Sequence, residues 1–264
     1  MTSDPLRVTV FGLGEAGSVI AADLAKTGAA VHGYDPAPVP PPDGVILHSA
    51  PGPAVEGSQI VLAITASVDA EEAMTQARDE IEQGTIYADL STASPALKVN
   101  LSETAVHHEL DFVDVALMGT VPGSGLATAS LASGPGAARY AAVINALGGH
   151  VEAIGDRPGD AAARKLLRSV VTKGLTALLI EAMEAAKKHG DAEWLWHHLV
   201  ELISDADESL LDRFIAGTPE HVHRRITEME FARELLESLA VPSPMTTATV
   251  ESLQRIRSQA RSIR

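Results

Sequence analysis

The sequence predicts an α/β protein: a doubly wound sheet in the N-terminal part, then an all-helical C-terminal part. Three observations predict it. A β-branched run, a glycine-rich turn and an amphipathic helix follow one another over residues 7–28. Strand and helix signals then alternate to about residue 158. From Gly159 strand signals stop and long helical patterns take over. Alternation of this kind implies a doubly wound sheet, so the chain divides into a first domain over 1–158 and a second over 159–264.

Each element has a local cause. Arg7-Val8-Thr9-Val10-Phe11 is β-branched and aromatic, and reads as a strand. Glu15 to Thr27 carries Val19, Ile20, Ala21, Leu24 and Ala25 at helical spacing, and Gly28 suits its C-terminal cap. Val31 to Tyr34 is a second strand ending at Asp35. PAPVPPPDG, Pro36 to Gly44, cannot be helical and predicts an extended surface loop. Val45-Ile46-Leu47 and Ile60 to Ile64 are strands. Val68 to Gln83 is a helix, Thr85 to Asp89 a strand, and Ser94 to Leu110 a helix with Pro95 in its first turn. Phe112 to Leu117 and Ala129 to Ala132 are further strands. Helices follow at Asp160–His189, Glu193–Ile203, Glu208–Ile215, Pro219–Leu239 and Met245–Ile263. The first of these is too long to belong to the sheet and spans the two domains.

Composition narrows the function. Hydrophobic residues make up 45% and charged residues 21%, ordinary for a globular protein. A formal net charge of -15 repels nucleic acid and anionic membranes, leaving a small molecule as the expected ligand. There is no cysteine, so disulfides, thiolate catalysis and cysteine metal sites are excluded. No apolar run approaches the roughly 20 residues of a membrane helix. MTSDPLRVTV has no basic segment followed by an apolar one, so no signal peptide is read and a cytoplasmic protein is expected. His107-His108 and His197-His198 would point about 100° apart on a helix and chelate poorly. His221-x-His223 adds no zinc signature, and no metal is expected. Trp194 and Trp196 read as core or interface residues.

Two constellations carry chemistry. Gly12-Leu13-Gly14-Glu15-Ala16-Gly17 lies between a strand and a helix, the context a dinucleotide fingerprint requires. Gly12 permits the turn, Gly14 lets the backbone approach a pyrophosphate, and Gly17 lets helix and strand pack closely. Asp35, about 20 residues on, suits the adenosine ribose hydroxyls. It would repel a 2′-phosphate and no arginine follows it, which favours NAD while NADP stays open. Thr65, Ala66, Ser91 and Thr92 stand at strand ends, as turn residues or as a cofactor lip. The second constellation is Lys165, set among Ala161, Ala162, Ala163, Leu166 and Leu167. Burial lowers a lysine's pKa from about 10.4, and a positioned proton donor assists hydride transfer to a carbonyl. Lys165, Ser169 and Lys173 fall on one helix face, as a cleft lining or a solvated edge. Arg168, one position off that stripe, is placed to clamp an anion or to pair with an acid.

Four stretches in order, GLGEAG, DLSTASP from Asp89, DVALMGTVPGSG from Asp114 and GDAAARKLLRS from Gly159, resemble the β-hydroxyacid dehydrogenases. That family holds 3-hydroxyisobutyrate and 6-phosphogluconate dehydrogenases, and the resemblance covers nearly the whole chain. The continuation KLLRSVVTKGLTALLIEAMEAA is similar to a poorly characterised branch with a C-terminal domain of formerly unknown function. The resemblance implies a Rossmann-like NAD(P) domain, Ser91 and Thr92 beside the nicotinamide, and Lys165 as catalytic acid/base. Met118-Gly119-Thr120 stands where the family has its substrate-binding serine-glycine-glycine, and Ser169 where it has asparagine. Lys173 is a further substrate-side candidate. The resemblance also implies a homodimer built by the C-terminal helices, with Met229, Leu235, Leu236 and Leu239 on apolar faces. Two alternatives stand beside a hydroxy/oxo substrate. One is imine reduction, whose enzymes usually carry aspartate or tyrosine in place of the lysine. The other is a non-catalytic dinucleotide-binding regulatory protein.

Overall fold

The structure, a computed structural model, describes residues 5–262, with side chains through 259. The chain forms two compact units, up to Arg168 and from Ser169. The first holds an eight-stranded sheet. Its strands are β1 (Arg7–Phe11), β2 (Ala30–Tyr34), β3 (Val45–His48), β4 (Ile60–Ala63), β5 (Ile86–Asp89), β6 (Asp111–Leu117), β7 (Ser130–Ser133) and β8 (Val151–Ala153). They lie in the order β3-β2-β1-β4-β5-β6-β7-β8. All neighbours are parallel except β6 and β7. The helices of this unit are α1 (Glu15–Lys26), α2 (Pro51–Val55), α3 (Ala70–Thr75), α4 (Pro95–His107), α5 (Ala137–Ala146) and the start of α6 (Asp160–His189). Every residue of β4 and β5 is buried, as expected of parallel strands covered on both faces. One apolar cluster, with Ile20, Leu24 and Tyr140, covers one face. A second, with Met74, Tyr87 and Leu101, covers the other.

Most elements fall where the sequence places them. The N-terminus of α4 is capped by Ser94, whose Oγ accepts from the Leu97 N–H at 3.2 Å. The main correction concerns residues 68–83. Instead of one helix, a 3-10 turn over Ser67–Asp69 leads into α3, which stops at Thr75. Tight turns continue from there, with the Glu80 N–H bonded to Ala77 O at 3.1 Å. Ala77 and Ile81 still reach the core, so the helical spacing of apolar residues is met without a helix. The predicted helix to Leu110 ends at His107, because Glu109 turns into the left-handed region at φ 56. Three elements have no counterpart in the sequence expectations: α2, α5 and β8.

The second unit holds the rest of α6 and α7 (Ala192–Ser204), α8 (Glu208–Ile215), α9 (Thr218–Ser238) and α10 (Pro244–Ser262). Ile263, the predicted end of α10, lies outside the described residues. The buried Glu181 of α6 accepts from the Met245 N–H at 2.8 Å, the Thr246 N–H at 2.9 Å and the Thr246 hydroxyl at 2.6 Å. It therefore caps α10 with a carboxylate at its positive end. No helix of the described residues is long and apolar enough to cross a membrane.

Candidate active site

The strand order reverses direction at β1 and β4, and ligands of doubly wound sheets bind beyond the carboxyl ends of the strands at such a point. The glycine loop leaves β1 there. Gly12 sits at φ 81, and a Cβ on it would collide with the Ile64 carbonyl oxygen. A Cβ on Gly17 would collide with the Gly12 carbonyl oxygen. Packing alone therefore requires those two glycines. Gly14 is different. Its φ of -66 suits any residue, and a Cβ there meets nothing within 4 Å. Neither backbone nor packing asks for glycine at 14, whereas close approach of a ligand does.

The surrounding groups agree. No side chain at Gly14 caps α1, so the first-turn N–H groups are left to an anion. Thr65 Oγ1 is buried without a protein partner. Gly12, Gly14, Asp35, Thr65 and Ala66 line one cleft of about 410 Å³. Asp35 Oδ2 accepts from the Leu13 N–H at 2.7 Å and Oδ1 from the Ala37 N–H at 2.8 Å. Asp35 thus ties the glycine loop to the end of β2. The Leu13 side chain lies in the core, while Glu15 is exposed at the start of α1 and Ala16 packs partly against the core. These residues fit a dinucleotide: a phosphate cradle at a helix start, a free hydroxyl at a strand end and a carboxylate at the next strand.

Lys165 lies on the first turns of α6, half-buried, with Nζ donating to Thr92 Oγ1 at 3.0 Å. Thr92 follows β5, on the same carboxyl edge of the sheet as the glycine loop. Burial, followed by the charge of Lys98, lowers the Lys165 pKa from its ordinary value. Asp114 opposes the shift and Arg168 adds to it. Beneath it lies an ion cluster that the sequence reading missed. Asp89 and Asp114 are register partners on β5 and β6, both buried. Adjacent strands put such side chains about 4.8 Å apart, so two carboxylates face one another in the core. Lys98 of α4, fully buried, stands 2.7 Å from Asp89 Oδ2 and donates to the Asp89 carbonyl at 2.8 Å. Its 3.3 Å approach to Asp114 Oδ1 is an ion-pair contact rather than an aligned hydrogen bond. Asp114 Oδ2 accepts from the Ala162 N–H at 3.0 Å and the Ser133 hydroxyl at 3.2 Å, while Ser133 Oγ accepts from the Ala161 N–H at 3.0 Å. The cluster therefore seats the first turn of α6. Removing one partner of a buried pair typically costs about 3–5 kcal/mol.

The other candidates divide. Ser91 is buried, and its hydroxyl donates to Asp89 Oδ2 at 2.9 Å. Met118, Gly119 and Thr120 follow β6 at the same carboxyl edge, Met118 half-buried and the other two exposed. The loop beyond them is tied to α1, where Asp23 Oδ2 accepts from the Leu126 N–H at 3.1 Å. Ser169 and Lys173 continue along α6 in the second unit. Acids inside otherwise apolar strands, IYAD and DFVDVAL, were the signal that a buried cation was needed.

Comparison with known proteins follows the same division. The family model of the NAD binding domain of 6-phosphogluconate dehydrogenase matches residues 7–155. A domain of unknown function (DUF1932) matches residues 186–256. An uncharacterised 28.5 kDa protein of Methanothermus fervidus is 30% identical over 144 residues, 54% of this chain and 55% of that relative's length. A conserved protein of unknown function, whose structure is described as similar to 3-hydroxyacid dehydrogenases, is 27% identical. It superposes with a TM-score of 0.62 over 97% of this chain and 98% of its own. The reductive aminase of Aspergillus terreus, solved in complex with NADPH4, cyclohexanone and allyl amine, shares the fold at a TM-score of 0.80. It is 16% identical, over 96% of this chain and 94% of its own.

Proposed function

For a chain that belongs to the family of the 6-phosphogluconate dehydrogenase NAD binding domain, we propose an NAD(P)-dependent oxidoreductase acting on a small, acidic hydroxy/oxo substrate, with Lys165 as acid/base. The observation that carries it is the pairing of the open glycine at 14 with the half-buried Lys165 amine on one edge of the sheet. Gly12, Gly14 and the α1 N-terminus would hold the pyrophosphate, Asp35 the adenosine ribose, and Thr65, Ala66, Ser91 and Thr92 the nicotinamide half. When bound, the nicotinamide dinucleotide supplies or accepts the hydride.

In the direction of reduction, the Lys165 ammonium gives its proton to the substrate oxygen as hydride reaches the carbon, and the amine is reprotonated from water. In the direction of oxidation, the neutral amine takes the hydroxyl proton. The lowered pKa makes the neutral amine easier to reach than in an ordinary lysine. Arg168, close enough to act on Lys165's charge, and the backbone N–H groups near Gly119 and Thr120 are the candidates for the acidic end. Ser169, one turn beyond Lys165 on α6, is the second catalytic candidate in this reading, and Lys173 a substrate-side candidate. Imine reduction is the second reading, favoured by the fold shared with the reductive aminase. A screen that pairs 3-hydroxy acids with a ketone-plus-amine mixture separates the two.

Calorimetric titration with NADH and NADPH tests the cofactor site. Wild type is expected to prefer NADH, and Asp35→Asn to lose most of that preference. Asparagine keeps an acceptor for the Leu13 N–H but removes the charge that repels a 2′-phosphate. A wild type that binds neither nucleotide refutes the reading. A wild type that prefers NADPH removes Asp35 from cofactor choice.

The same reading has the chain act as a homodimer in the cytoplasm. Within the second unit, no residue of α7 or α8 is fully buried. Trp194 is 65% exposed, Trp196 58% and Ile215 75%. Apolar patches of this extent mark protein interfaces. Light scattering after size exclusion is expected to give twice the chain mass, and Trp194→Glu with Trp196→Glu to give the monomer. A monomeric wild type refutes the dimer.

A further inference from the structure

We propose that Lys98 is a positioning residue for Lys165: by engaging Asp89 and Asp114 in a buried cluster, it limits the hold of the Asp114 carboxylate on the Lys165 ammonium. The inference rests on the acid/base reading of Lys165. Its grounds are geometric. Two buried carboxylates sit in register on β5 and β6. The cation between them comes from α4, has no exposed surface and reaches both acids. Asp114 spends its second oxygen on the first turn of α6 and on Ser133. Lys165 stands three residues beyond Ala162, and Asp114, Thr92 and Lys165 line one small cavity.

Charged groups that act on Lys165 include Lys98 from α4, Asp114 from β6 and Arg168 from its own helix, with Asp89 behind Lys98. Of these, only Asp114 favours the ammonium. A buried carboxylate without Lys98 would draw the nearest remaining cation, and an opposite charge close by holds a lysine's proton. With Lys98 in place, the Lys165 amine donates to Thr92 Oγ1, at the mouth of the site.

The test is the pH dependence of Lys165 acetylation by acetic anhydride, read by peptide mass spectrometry on the full chain without nucleotide. Only the neutral amine reacts, so the rate reports its protonation. Lys98→Met is expected to slow labelling at a fixed near-neutral pH roughly tenfold, and Asp114→Asn to speed it. The opposite signs are the signature, because a merely loosened α6 would move both variants the same way. Should Lys98→Met fail to fold, Asp114→Asn and Lys98→Arg carry the test. Faster labelling in the first and near wild-type labelling in the second support the proposal. Unchanged or slower labelling in Asp114→Asn, or shifts of one sign in both Lys98→Met and Asp114→Asn, overturn it. The readout needs no turnover. If Lys165→Ala left catalysis intact, the acid/base reading would fall while the labelling result stood.

Discussion

Gly14→Val is expected to weaken dinucleotide binding by about 100-fold or more while leaving the melting temperature unchanged. About 100-fold corresponds to about 2.7 kcal/mol, the scale of losing close backbone contact with a charged phosphate. The expectation turns on what the three loop glycines meet. At Gly12 and Gly17 an added Cβ strikes a carbonyl oxygen of the protein itself, so substitutions there damage the fold first. At Gly14 the backbone is in a region open to valine and the added side chain finds empty space. The added Cβ meets nothing within 4 Å until a ligand arrives. Nucleotide titration beside a thermal melt checks it. A lower melting temperature would mean that packing governs Gly14, and undiminished binding would mean that the pyrophosphate does not cross it.

Lys165→Ala is expected to cut turnover by about 10² to 10⁴-fold in either direction, with nucleotide affinity little changed. The side chain is half-buried and donates to Thr92 Oγ1 at 3.0 Å, so trimming it to alanine removes little of the core. The pH profile is the second readout. The folded pKa is lowered, chiefly by burial and then by Lys98. Reduction needs the ammonium, so its rate should fall with rising pH earlier than an ordinary lysine would allow. Oxidation needs the amine, so it should rise at correspondingly lower pH. Both limbs should vanish in Lys165→Ala. Retained hydroxyacid turnover in that variant would remove Lys165 from the chemistry.

The glycine loop was legible because its cause is local: a β-branched run, three glycines and an apolar stripe within 22 residues. The long helix α6 was legible for a similar reason, since its apolar residues recur without interruption from Asp160 to His189. What escaped depends on distant partners. The run Val68–Gln83 has helical spacing throughout, yet buries Ala77 and Ile81 through successive turns. Strand β8 has only three residues, two of them exposed, and is defined by its pairing with β7. At the candidate site, Lys165 is proposed from its motif and apolar setting. Asp89, Lys98 and Asp114 were not legible, because their meaning lies in register and ion pairing between residues far apart in the chain. No periodicity reports that an aspartate at the end of one strand faces another on its neighbour.

Helix α6 has a consequence for how such a protein can be recombined. It begins in the first unit and continues into the second without a break, and the division between units falls at Arg168, inside it. No loop marks a natural splice point there. A chimera joined before Asp160 would import Lys165 with the foreign helices, separated from the Asp114 and Ser133 that seat its first turn. A chimera joined after Arg168 would keep that seat but fuse two unrelated halves of one helix. Exchange of C-terminal parts therefore preserves the seat of α6 only where the β5–β6 acids, the α4 lysine and the opening of α6 are moved together.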